Sequence, residues 1–279
     1  MRVAAVNLFQ TRVENLIVIG GDGSFRGARA IAAAYREMFP RKPFRIIGLP
    51  GTIDNDLHGT EYSIGYDTAL NNVVDAIRKL RDTIESHRRA IILEVMGNTS
   101  GWLALQSAIA GGAAAVAIPE VEETWDQDDL LRRLVAGVRR DYRYFIIVVA
   151  EGVLKRAGAD WSHRLARRIE EAAPIQEILG HTMEARINSV GNIARGGSPS
   201  ALDNTLAGLL GSAAADLAQT GSLSHGPPVE GDVMVGWHGT HVVVTPLDEV
   251  IACSPRLVTR EGELYQLSNK LMLSAGQPF

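Results

Sequence analysis

The sequence FRIIGLPGTIDND, residues 44–56, decides the fold of this chain. Its first six residues are mostly apolar and predict a buried strand, which the following Pro-Gly pair ends. Asp54 and Asp56 then lie in a turn, where the backbone can aim their carboxylates at a ligand. A simple turn cap is the alternative role for each of these two residues. An acidic turn directly after a buried strand therefore predicts a binding site.

A second loop of the same build lies upstream. Residues 16–19 are apolar and run into Gly20-Gly21-Asp22-Gly23-Ser24, and a helical pattern follows over residues 25–39. A loop between a strand and a helix points unsatisfied backbone N–H groups above the sheet, where a phosphate is a natural occupant. One Gly-rich loop after a strand is a weak signal, but two acidic loops of this build predict one shared site.

Strand and helix patterns alternate along the rest of the chain. We predict strands at residues 90–95, 116–118, 144–150, 184–190, 233–237 and 241–244, and helices at residues 70–82, 102–109, 126–140, 164–173, 200–218 and 262–273. Residues 154–162 are polar and predict a loop, and Pro174 interrupts the helical pattern that precedes it. The alternation predicts an α/β fold with mainly parallel sheets, in which ligands bind at the carboxyl ends of the strands.

The composition narrows the class of partner. With 279 residues, 46% apolar residues and 22% charged residues, the chain can bury a large core. Its net charge of −4 argues against binding to nucleic acid or to an anionic membrane surface. The single cysteine, Cys253, excludes an intramolecular disulfide and is expected to be a small buried residue. Since no apolar run is long enough to span a membrane, we expect a cytoplasmic protein.

Five motifs, taken in order, resemble those of the ATP-dependent 6-phosphofructokinase family. They are Gly20 to Ser24, residues 50–56, Met96-Gly97, Glu151-Gly152 and Arg195-Gly196-Gly197-Ser198-Pro199. Each is weak alone, but the ordered set is specific and covers the chain from about residue 13 to the last helix. The resemblance implies two Rossmann-like three-layer αβα domains with mainly parallel sheets. Residues 1–65 and 194–245 would bind the nucleotide, and residues 66–193 and 246–279 would bind the sugar phosphate.

The resemblance also implies an activity and its residues. The family transfers the γ-phosphoryl group of ATP to the 1-hydroxyl of fructose 6-phosphate with Mg²⁺, a step of glycolysis. By motif, Asp22 would hold the metal, and Gly21, Asp22, Gly23 and Ser24 would line the nucleotide phosphates. Asp54 would be the general base, with Thr52 and Ile53 lining the reacting region. This division suits phosphoryl transfer, in which the protein chiefly positions reactants and neutralises charge.

The sugar-phosphate side carries over in the same way. Glu151 would bond to sugar hydroxyls, and Arg89 would reach the sugar phosphate in a neighbouring subunit, which implies a dimer or tetramer. The remaining residues that would face the sugar phosphate are Met96, Gly97, Asn98, Arg186, Asn192 and Arg195. Surface charges are the alternative interpretation of the three arginines. Members that use pyrophosphate carry a bulkier acidic residue and a lysine where this chain has Gly23 and Gly51, so ATP is the favoured donor.

The sequence departs from the family in three places. It lacks the first strand and the Gly-Gly-Asp-x-Pro-Gly loop with which members begin, so we expect a fragment, a chain begun at an internal Met, or a remodelled relative. Asn98 and Asn192 stand where the family has arginine and, usually, histidine. Three alternatives follow: an impaired or regulatory subunit, a kinase of another sugar phosphate, and a member of the NAD-kinase and lipid-kinase group, which has a similar Gly-Gly-Asp-Gly loop.

Overall fold

The computed structural model describes residues 1–84, 89–223 and 226–274. Its strands are β1 (Asn15–Gly20), β2 (Arg45–Pro50), β3 (Ala90–Val95), β4 (Ala115–Ala117), β5 (Phe145–Ala150), β6 (Ala185–Ser189), β7 (Val233–His238) and β8 (His241–Pro246). Its α-helices are α1 (Arg2–Gln10), α2 (Asp22–Met38), α3 (Tyr66–Ile84), α4 (Trp102–Gly111), α5 (Gln127–Arg139), α6 (Glu151–Ala157), α7 (Trp161–Glu170), α8 (Ala173–Leu179), α9 (Ala201–Thr220), α10 (Leu247–Cys253) and α11 (Glu263–Leu271). Short 3-10 helices span Glu122–Trp125 and Gly191–Arg195.

The chain divides into two compact units. The first contains residues 1–67 and 199–256, and the second contains residues 68–198 and 257–279. These limits differ from the expected ones at residues 246–256, because Leu247, Val250 and Ile251 of α10 are buried in the core of the first unit. They differ also at residues 66–67, which fall in the first unit, and at residues 194–198, because Asn72 Nδ2 donates hydrogen bonds to two carbonyl groups of this segment.

The first unit is built on a four-stranded sheet in the order β1-β2-β7-β8. The first three strands are parallel, and β8 returns antiparallel to β7. Successive residues of β2 face opposite sides: Ile46 packs in the cluster that contains α2 and α10, and Ile47 packs in the cluster that contains α9. Helices therefore cover both faces, and the strands that lie between them are largely apolar.

The second unit is built on a four-stranded, all-parallel sheet in the order β4-β5-β3-β6. Every residue of β5 is buried, as expected for a strand with both faces covered. The core on one face joins α5 and α7, through Leu134 and Leu165, to Ile92 and Ile147 of the sheet. The predicted α/β class with mainly parallel sheets is confirmed. No helix in the described ranges combines the length and the apolar character that a membrane crossing requires.

Three local predictions are wrong. Residues 154–162 are not a loop, since α6 runs to Ala157, Gly158 follows with φ +103°, and α7 begins at Trp161. Pro174 does not simply break a helix but lies in the first turn of α8, where its missing N–H costs nothing. Cys253 is exposed rather than buried, because it lies at the end of α10, a helix that the sequence patterns missed.

Candidate active site

The carboxyl ends of β1 and β2 lie side by side. Gly20 is opposite Pro50 in the register of these parallel strands. The Gly51 N–H donates to the Gly20 carbonyl oxygen at 3.0 Å. A Cβ atom added to Gly51 would lie 2.8 Å from Ile19 Cγ2 and 3.3 Å from the Gly20 nitrogen, so the strand ends can approach this closely only with glycine at residue 51. The prediction that both acidic loops lie at one edge of a sheet is confirmed.

The first loop forms the beginning of α2. Gly21 is the N-cap and Asp22 the first helical residue, and the backbone N–H groups of Ser24 and Phe25 donate to the Gly21 carbonyl oxygen at 3.0 and 3.2 Å. A Cβ atom added to Gly23 would meet nothing within 4 Å. The N-terminus of a 17-residue helix therefore opens onto this edge, with the N–H groups and the dipole that favour a phosphate.

Asp22 presents one oxygen to the helix and one to the site. Its Oδ2 accepts from Arg26 Nε at 2.8 Å, and Arg26 also donates to the Ile251 carbonyl oxygen at 2.9 Å. Its Oδ1 is buried and has no hydrogen-bond partner. An unsatisfied buried carboxylate oxygen is costly unless a ligand completes it. Asp22 is therefore held in place by Arg26 and has one oxygen available for a cation.

The elbow at residues 51–56 is shaped by amide and hydroxyl groups. Thr52 Oγ1 accepts from the Asp54 backbone N–H at 3.2 Å, which folds the start of the turn. Asn55 has φ +52° and is buried; its Oδ1 accepts from the Ser63 N–H at 2.9 Å, and its Nδ2 donates to the Glu61 carbonyl oxygen at 3.0 Å. Asn55 therefore supplies two of the hydrogen bonds that shape this turn.

Arg256 is a functional candidate that the sequence patterns missed. Its guanidinium donates to the carbonyl oxygens of Asn55 and Glu61 at 3.1 and 3.3 Å, and its backbone N–H donates to the Asp56 carbonyl oxygen. Burial is the main cause that lowers the pKa of Arg256, and the neighbouring Asp56 charge opposes it. The elbow is thus clamped by a cation some 200 residues later in the chain, and no local pattern could reveal that contact.

Asp56, the last residue of the elbow, is a buried carboxylate. It is 7% exposed, and Ile53 beside it in the elbow is 8% exposed. Burial, followed by the nearby charges of Asp54 and Asp22, raises the pKa of Asp56 from 3.8 to about 6. The carboxylates of Asp22, Asp54 and Asp56 therefore create a region of negative potential at one sheet edge. Asp56 is the buried member of this group, whereas a simple turn cap is usually exposed.

The residues of this edge fit a hard divalent cation that arrives with a phosphate ligand. Carboxylate oxygens are the ligands that Mg²⁺ prefers, and Asp22 Oδ1 is a buried oxygen that lacks a partner. No group of three or more His, Cys, Asp or Glu side chains that could hold a metal occurs in the described part of the chain. Mg²⁺ commonly binds through one or two carboxylates together with substrate phosphates, and this donor set matches that pattern.

In the second unit, the carboxyl ends of β3 and β5 are adjacent. Val95 is opposite Ala150 in their parallel register, so Met96 and Glu151 leave the sheet side by side. Gly97 has φ +141° and Asn98 has φ +54°, which turn the chain sharply after β3. Glu151 is the first residue of α6. The structure thus brings together Glu151 and the Met96 to Asn98 segment, as the carboxyl-end argument predicted.

Lys155 lies between these two segments, and no sequence motif singled it out. Its Nζ donates to Glu151 Oε1 at 2.6 Å and to Asn98 Oδ1 at 2.9 Å. The loop prediction for residues 154–162 concealed this contact, because only a helix places residues four apart on one face.

Arg195 reaches the same edge from the end of β6. Its Nε donates to Met96 Sδ at 3.4 Å, and Arg195 and Asn192 are both exposed in one short 3-10 helix. Asn72 Nδ2 holds this segment by donating to the carbonyl oxygens of Ala194 and Gly196 at 3.2 and 2.8 Å. Arg195 therefore lies at the same edge of the sheet as Met96. Asn72, which the motifs did not identify, holds the segment that carries Arg195.

Arg186 and Arg89 lie elsewhere in this unit. Arg89 directly precedes β3 and Arg186 is the second residue of β6, so both are at the amino ends of the strands. They share one carboxylate: Glu184 Oε2 pairs with Arg89 Nε at 2.5 Å, and Oε1 pairs with Arg186 Nε at 2.6 Å. The structure therefore groups Arg186 with Arg89 and separates it from Arg195, with which the sequence interpretation had placed it.

The family model described as phosphofructokinase matches residues 1–218. An ATP-dependent 6-phosphofructokinase of Brevibacillus brevis is 42% identical over 261 residues, which cover 94% of this chain and 71% of that relative.

Two solved structures agree with the fold. The phosphofructokinase of Saccharomyces cerevisiae gives a TM-score of 0.71 at 30% identity, with 90% of this chain and 34% of the yeast chain covered, so this chain spans about a third of that protein. A pyrophosphate-dependent phosphofructokinase of Marinobacter aquaeolei gives a TM-score of 0.73 at 21% identity, with 100% of this chain and 73% of that chain covered, and it supports the fold alone. The extent of the family match and the identity to the Brevibacillus relative lead to one conclusion: the chain belongs to the phosphofructokinase family.

Proposed function

We propose that this chain transfers the γ-phosphoryl group of ATP to the 1-hydroxyl of fructose 6-phosphate, giving fructose 1,6-bisphosphate in glycolysis. The observation that carries the proposal is the pair of acidic loops held side by side at the carboxyl ends of β1 and β2. The family membership and the name of the Brevibacillus relative, an ATP-dependent 6-phosphofructokinase, support the same activity.

The nucleotide phosphates bind at the N-terminus of α2. Gly21, Gly23 and Ser24 contribute backbone and hydroxyl donors there, and the helix dipole favours the anion. Asp22 would hold Mg²⁺, which would supply neutralisation of the charge on the phosphoryl group. The Arg26 contact fixes the Asp22 carboxylate, so the remaining Oδ1 keeps one direction toward the ligand.

Asp54 is the general base. It accepts the proton from the 1-hydroxyl of the sugar as the oxygen attacks the phosphoryl group, a role in which a carboxylate orients and activates the nucleophile. Thr52 Oγ1 accepts from the Asp54 backbone N–H and Ile53 is buried beside it in the chain, so both act chiefly by fixing the backbone that carries the carboxylate. Asn55 and Arg256 hold the elbow from its other side. Positional precision of this kind is the main contribution a protein makes to phosphoryl transfer.

The sugar phosphate binds in the second unit. Glu151 accepts hydrogen bonds from sugar hydroxyls, and the segment of Met96, Gly97 and Asn98 lines the same edge. Arg195 is the cation for the sugar phosphate, because its guanidinium is exposed and can engage two phosphate oxygens at once. Asn192 in the same 3-10 helix is an additional donor.

The amino-end pair, Arg89 and Arg186, serves a neighbouring copy of the chain. Both guanidiniums share Glu184, and the side chains of Arg186 and Arg89 are 54% and 24% exposed, so Arg186 is the more accessible cation at the opposite end of the sheet from Arg195. The proposal therefore includes a homo-oligomer, a dimer or tetramer, and a cytoplasmic location.

ATP is proposed as donor in preference to pyrophosphate. The open space around Gly23 leaves room for the rest of a nucleotide. Gly51 bears less on the donor than the sequence suggested, since the close approach of β1 is reason enough for glycine there.

A kinase of another sugar phosphate is the second candidate. Asn98 supports this candidate, because its side-chain Oδ1 and its backbone carbonyl oxygen both accept from Lys155, and only its Nδ2 hydrogens remain for a substrate. A comparison of kcat/KM among fructose 6-phosphate, its ketose and aldose isomers and the unphosphorylated sugar decides between the two candidates.

The test is a coupled assay of the full chain with ATP, Mg²⁺ and fructose 6-phosphate, together with the variant Asp54→Asn. We expect turnover by the native chain and a fall of about 10²- to 10⁴-fold in kcat for the variant, the range expected for loss of a general base. Asp75→Asn, a change at an exposed i,i+4 pair with Lys79 on α3, is the matched control and should keep full activity. No phosphoryl transfer to any sugar phosphate would refute the proposal and favour an impaired or regulatory subunit.

A further inference from the structure

The Lys155 ammonium has an acceptor for each of its hydrogens. Nζ is 2.6 Å from Glu151 Oε1, 2.9 Å from Asn98 Oδ1 and 3.2 Å from the Asn98 carbonyl oxygen. A lysine ammonium has three donors and no acceptor, so these contacts use its full capacity. Lys155 therefore links the carboxylate of α6 to both the side chain and the backbone of the segment that follows β3.

The segment that Lys155 holds depends on close packing. Asn98 has φ +54°, a conformation that costs free energy for a residue other than glycine. A Cβ atom added to Gly152 would lie 3.2 Å from the Asn98 carbonyl oxygen and 2.7 Å from Pro119 Cγ, so α6 and this segment touch with no side chain between them. The Lys155 bond to the Asn98 carbonyl group closes the same contact from the solvent side.

The Lys155–Glu151 ion pair affects the charge of the site more than the stability of the fold. The Lys155 side chain is 50% exposed and the Glu151 side chain is 29% exposed, and an exposed i,i+4 ion pair contributes little to stability. Its position, at the adjacent carboxyl ends of β3 and β5, is where a parallel α/β sheet binds its ligand. An uncompensated carboxylate at this edge would repel an anionic substrate, and the Lys155 charge cancels that repulsion.

We propose that Lys155 is a positioning residue for the sugar phosphate. It sets the direction of the Glu151 carboxylate, orients the Asn98 side chain so that its amide hydrogens point to the ligand, and neutralises the carboxylate so that a phosphorylated substrate can approach. This inference rests on the proposed function, since it assigns a task to Lys155 within the same sugar-phosphate site.

The experiment compares the native chain with Lys155→Met, Lys155→Arg and a matched control, Lys79→Met. Lys79 forms the same kind of i,i+4 pair with Asp75, at 2.5 Å and with more exposed side chains, on α3 of the same unit. We expect Lys155→Met to raise KM for fructose 6-phosphate about 10-fold, which corresponds to about 1.4 kcal/mol. The expected change is less than about 3-fold in kcat and less than about 2-fold in KM for ATP.

The arginine variant separates the charge from the side chain itself. Lys155→Arg keeps the cation and the donors, so it should recover most of the affinity, whereas Lys79→Met should match the native chain in every constant. Thermal denaturation should place the melting temperatures of Lys155→Met and Lys79→Met within about 2 °C of the native value, since neither exposed pair adds much stability.

Three outcomes overturn the inference. They are an unchanged KM for fructose 6-phosphate in Lys155→Met, an equal rise in KM for both substrates, and a loss of stability large enough to account for the lost activity. If the native chain shows no turnover, the proposed reaction fails first, and calorimetric titration with fructose 6-phosphate then tests Lys155 separately. Native binding that Lys155→Met weakens would support the inference, and binding that is absent or equal in both chains would refute it.

Discussion

Replacement of Asp56 by asparagine should stabilise the protein at neutral pH in the absence of metal. Burial, with the charges of Asp54 and Asp22, raises the pKa of Asp56 from 3.8 to about 6. The folded chain therefore keeps a proton between these pH values that the unfolded chain has released. The stability that this proton confers is complete below about pH 4 and is lost as pH rises through about 6.

The size of the effect follows from the shift. A rise of about two pKa units corresponds to on the order of 3 kcal/mol once Asp56 is ionised, and screening by solvent at the edge of the site reduces it to about 2 kcal/mol. Asparagine has nearly the same shape and carries no charge. We expect Asp56→Asn to exceed the native chain by about 2 kcal/mol in free energy of unfolding at pH 7.5, and to match it near pH 4.

Urea denaturation at half-unit steps from pH 4 to pH 8, in the presence of EDTA, measures this difference. Asp75→Asn, which removes an exposed carboxylate from the second unit, is the control and should follow the native pH dependence. A difference in free energy of unfolding between Asp56→Asn and the native chain that stays constant over the whole range, or that grows toward low pH, would refute this prediction. Either result would show that folding does not raise the pKa of Asp56.

Three other substitutions test the packing and the donor site. Arg256→Lys keeps the charge but loses the planar guanidinium group that donates to the Asn55 carbonyl oxygen. Urea denaturation should therefore show a loss of about 1–2 kcal/mol in free energy of unfolding, and kcat should change by a larger factor than KM. Gly152→Ala places a Cβ atom 2.7 Å from Pro119 Cγ and should cost about 1–3 kcal/mol in unfolding free energy. Gly23→Asp meets open space, so it should keep the native stability while kcat/KM for ATP falls at least about 10-fold.

One matched substitution serves as the control for the packing comparison. Gly27→Ala, at a position of α2 where a Cβ atom meets nothing within 4 Å, should leave stability equal or raise it by about 0.5–1 kcal/mol. An equal loss in Gly27→Ala and Gly152→Ala would contradict the packing argument. Unchanged kinetics in Arg256→Lys would show that the elbow does not need its clamp, and unchanged ATP use in Gly23→Asp would remove the argument on the donor.

Much of the fold could be predicted because its signals are local. The apolar runs that end at Gly20 and Pro50 predict strands, and the amphipathic pattern of residues 70–82 predicts a helix, since each depends only on the spacing of neighbouring side chains. The same patterns failed where the elements are short. The seven residues of α6 are too few to show a helical period, and its polar residues are as typical of a loop as of a helix exposed to solvent.

The candidate site was predicted unevenly for the same reason. Asp22 and Asp54 could be found because each follows a strand, and the ends of parallel strands meet. The contacts of Lys155 with Asn98 and of Arg256 with Asn55 could not be found, because these partners are 57 and about 200 residues distant in sequence. Arg186 was placed with Arg195 by motif order, whereas the direction of β6 puts them at opposite ends of one strand.

The sequence by itself determined the class of fold and the family, because strand periods, glycine-bearing turns and the order of the acidic loops are properties of short segments. Only the tertiary structure decided how each carboxylate is held: Asp22 by Arg26 with one oxygen left over, the Asp54 elbow by Asn55 and Arg256, and Glu151 by Lys155. Arg26 and Lys155 each lie four residues after the carboxylate that they hold, on the same helix, so these two pairs form only where the helix forms. The Arg256 contact with Asn55 and the Lys155 contact with Asn98 depend on which distant segments the sheets bring together. Burial and these long-range contacts are therefore set by packing rather than by the order of residues in the chain.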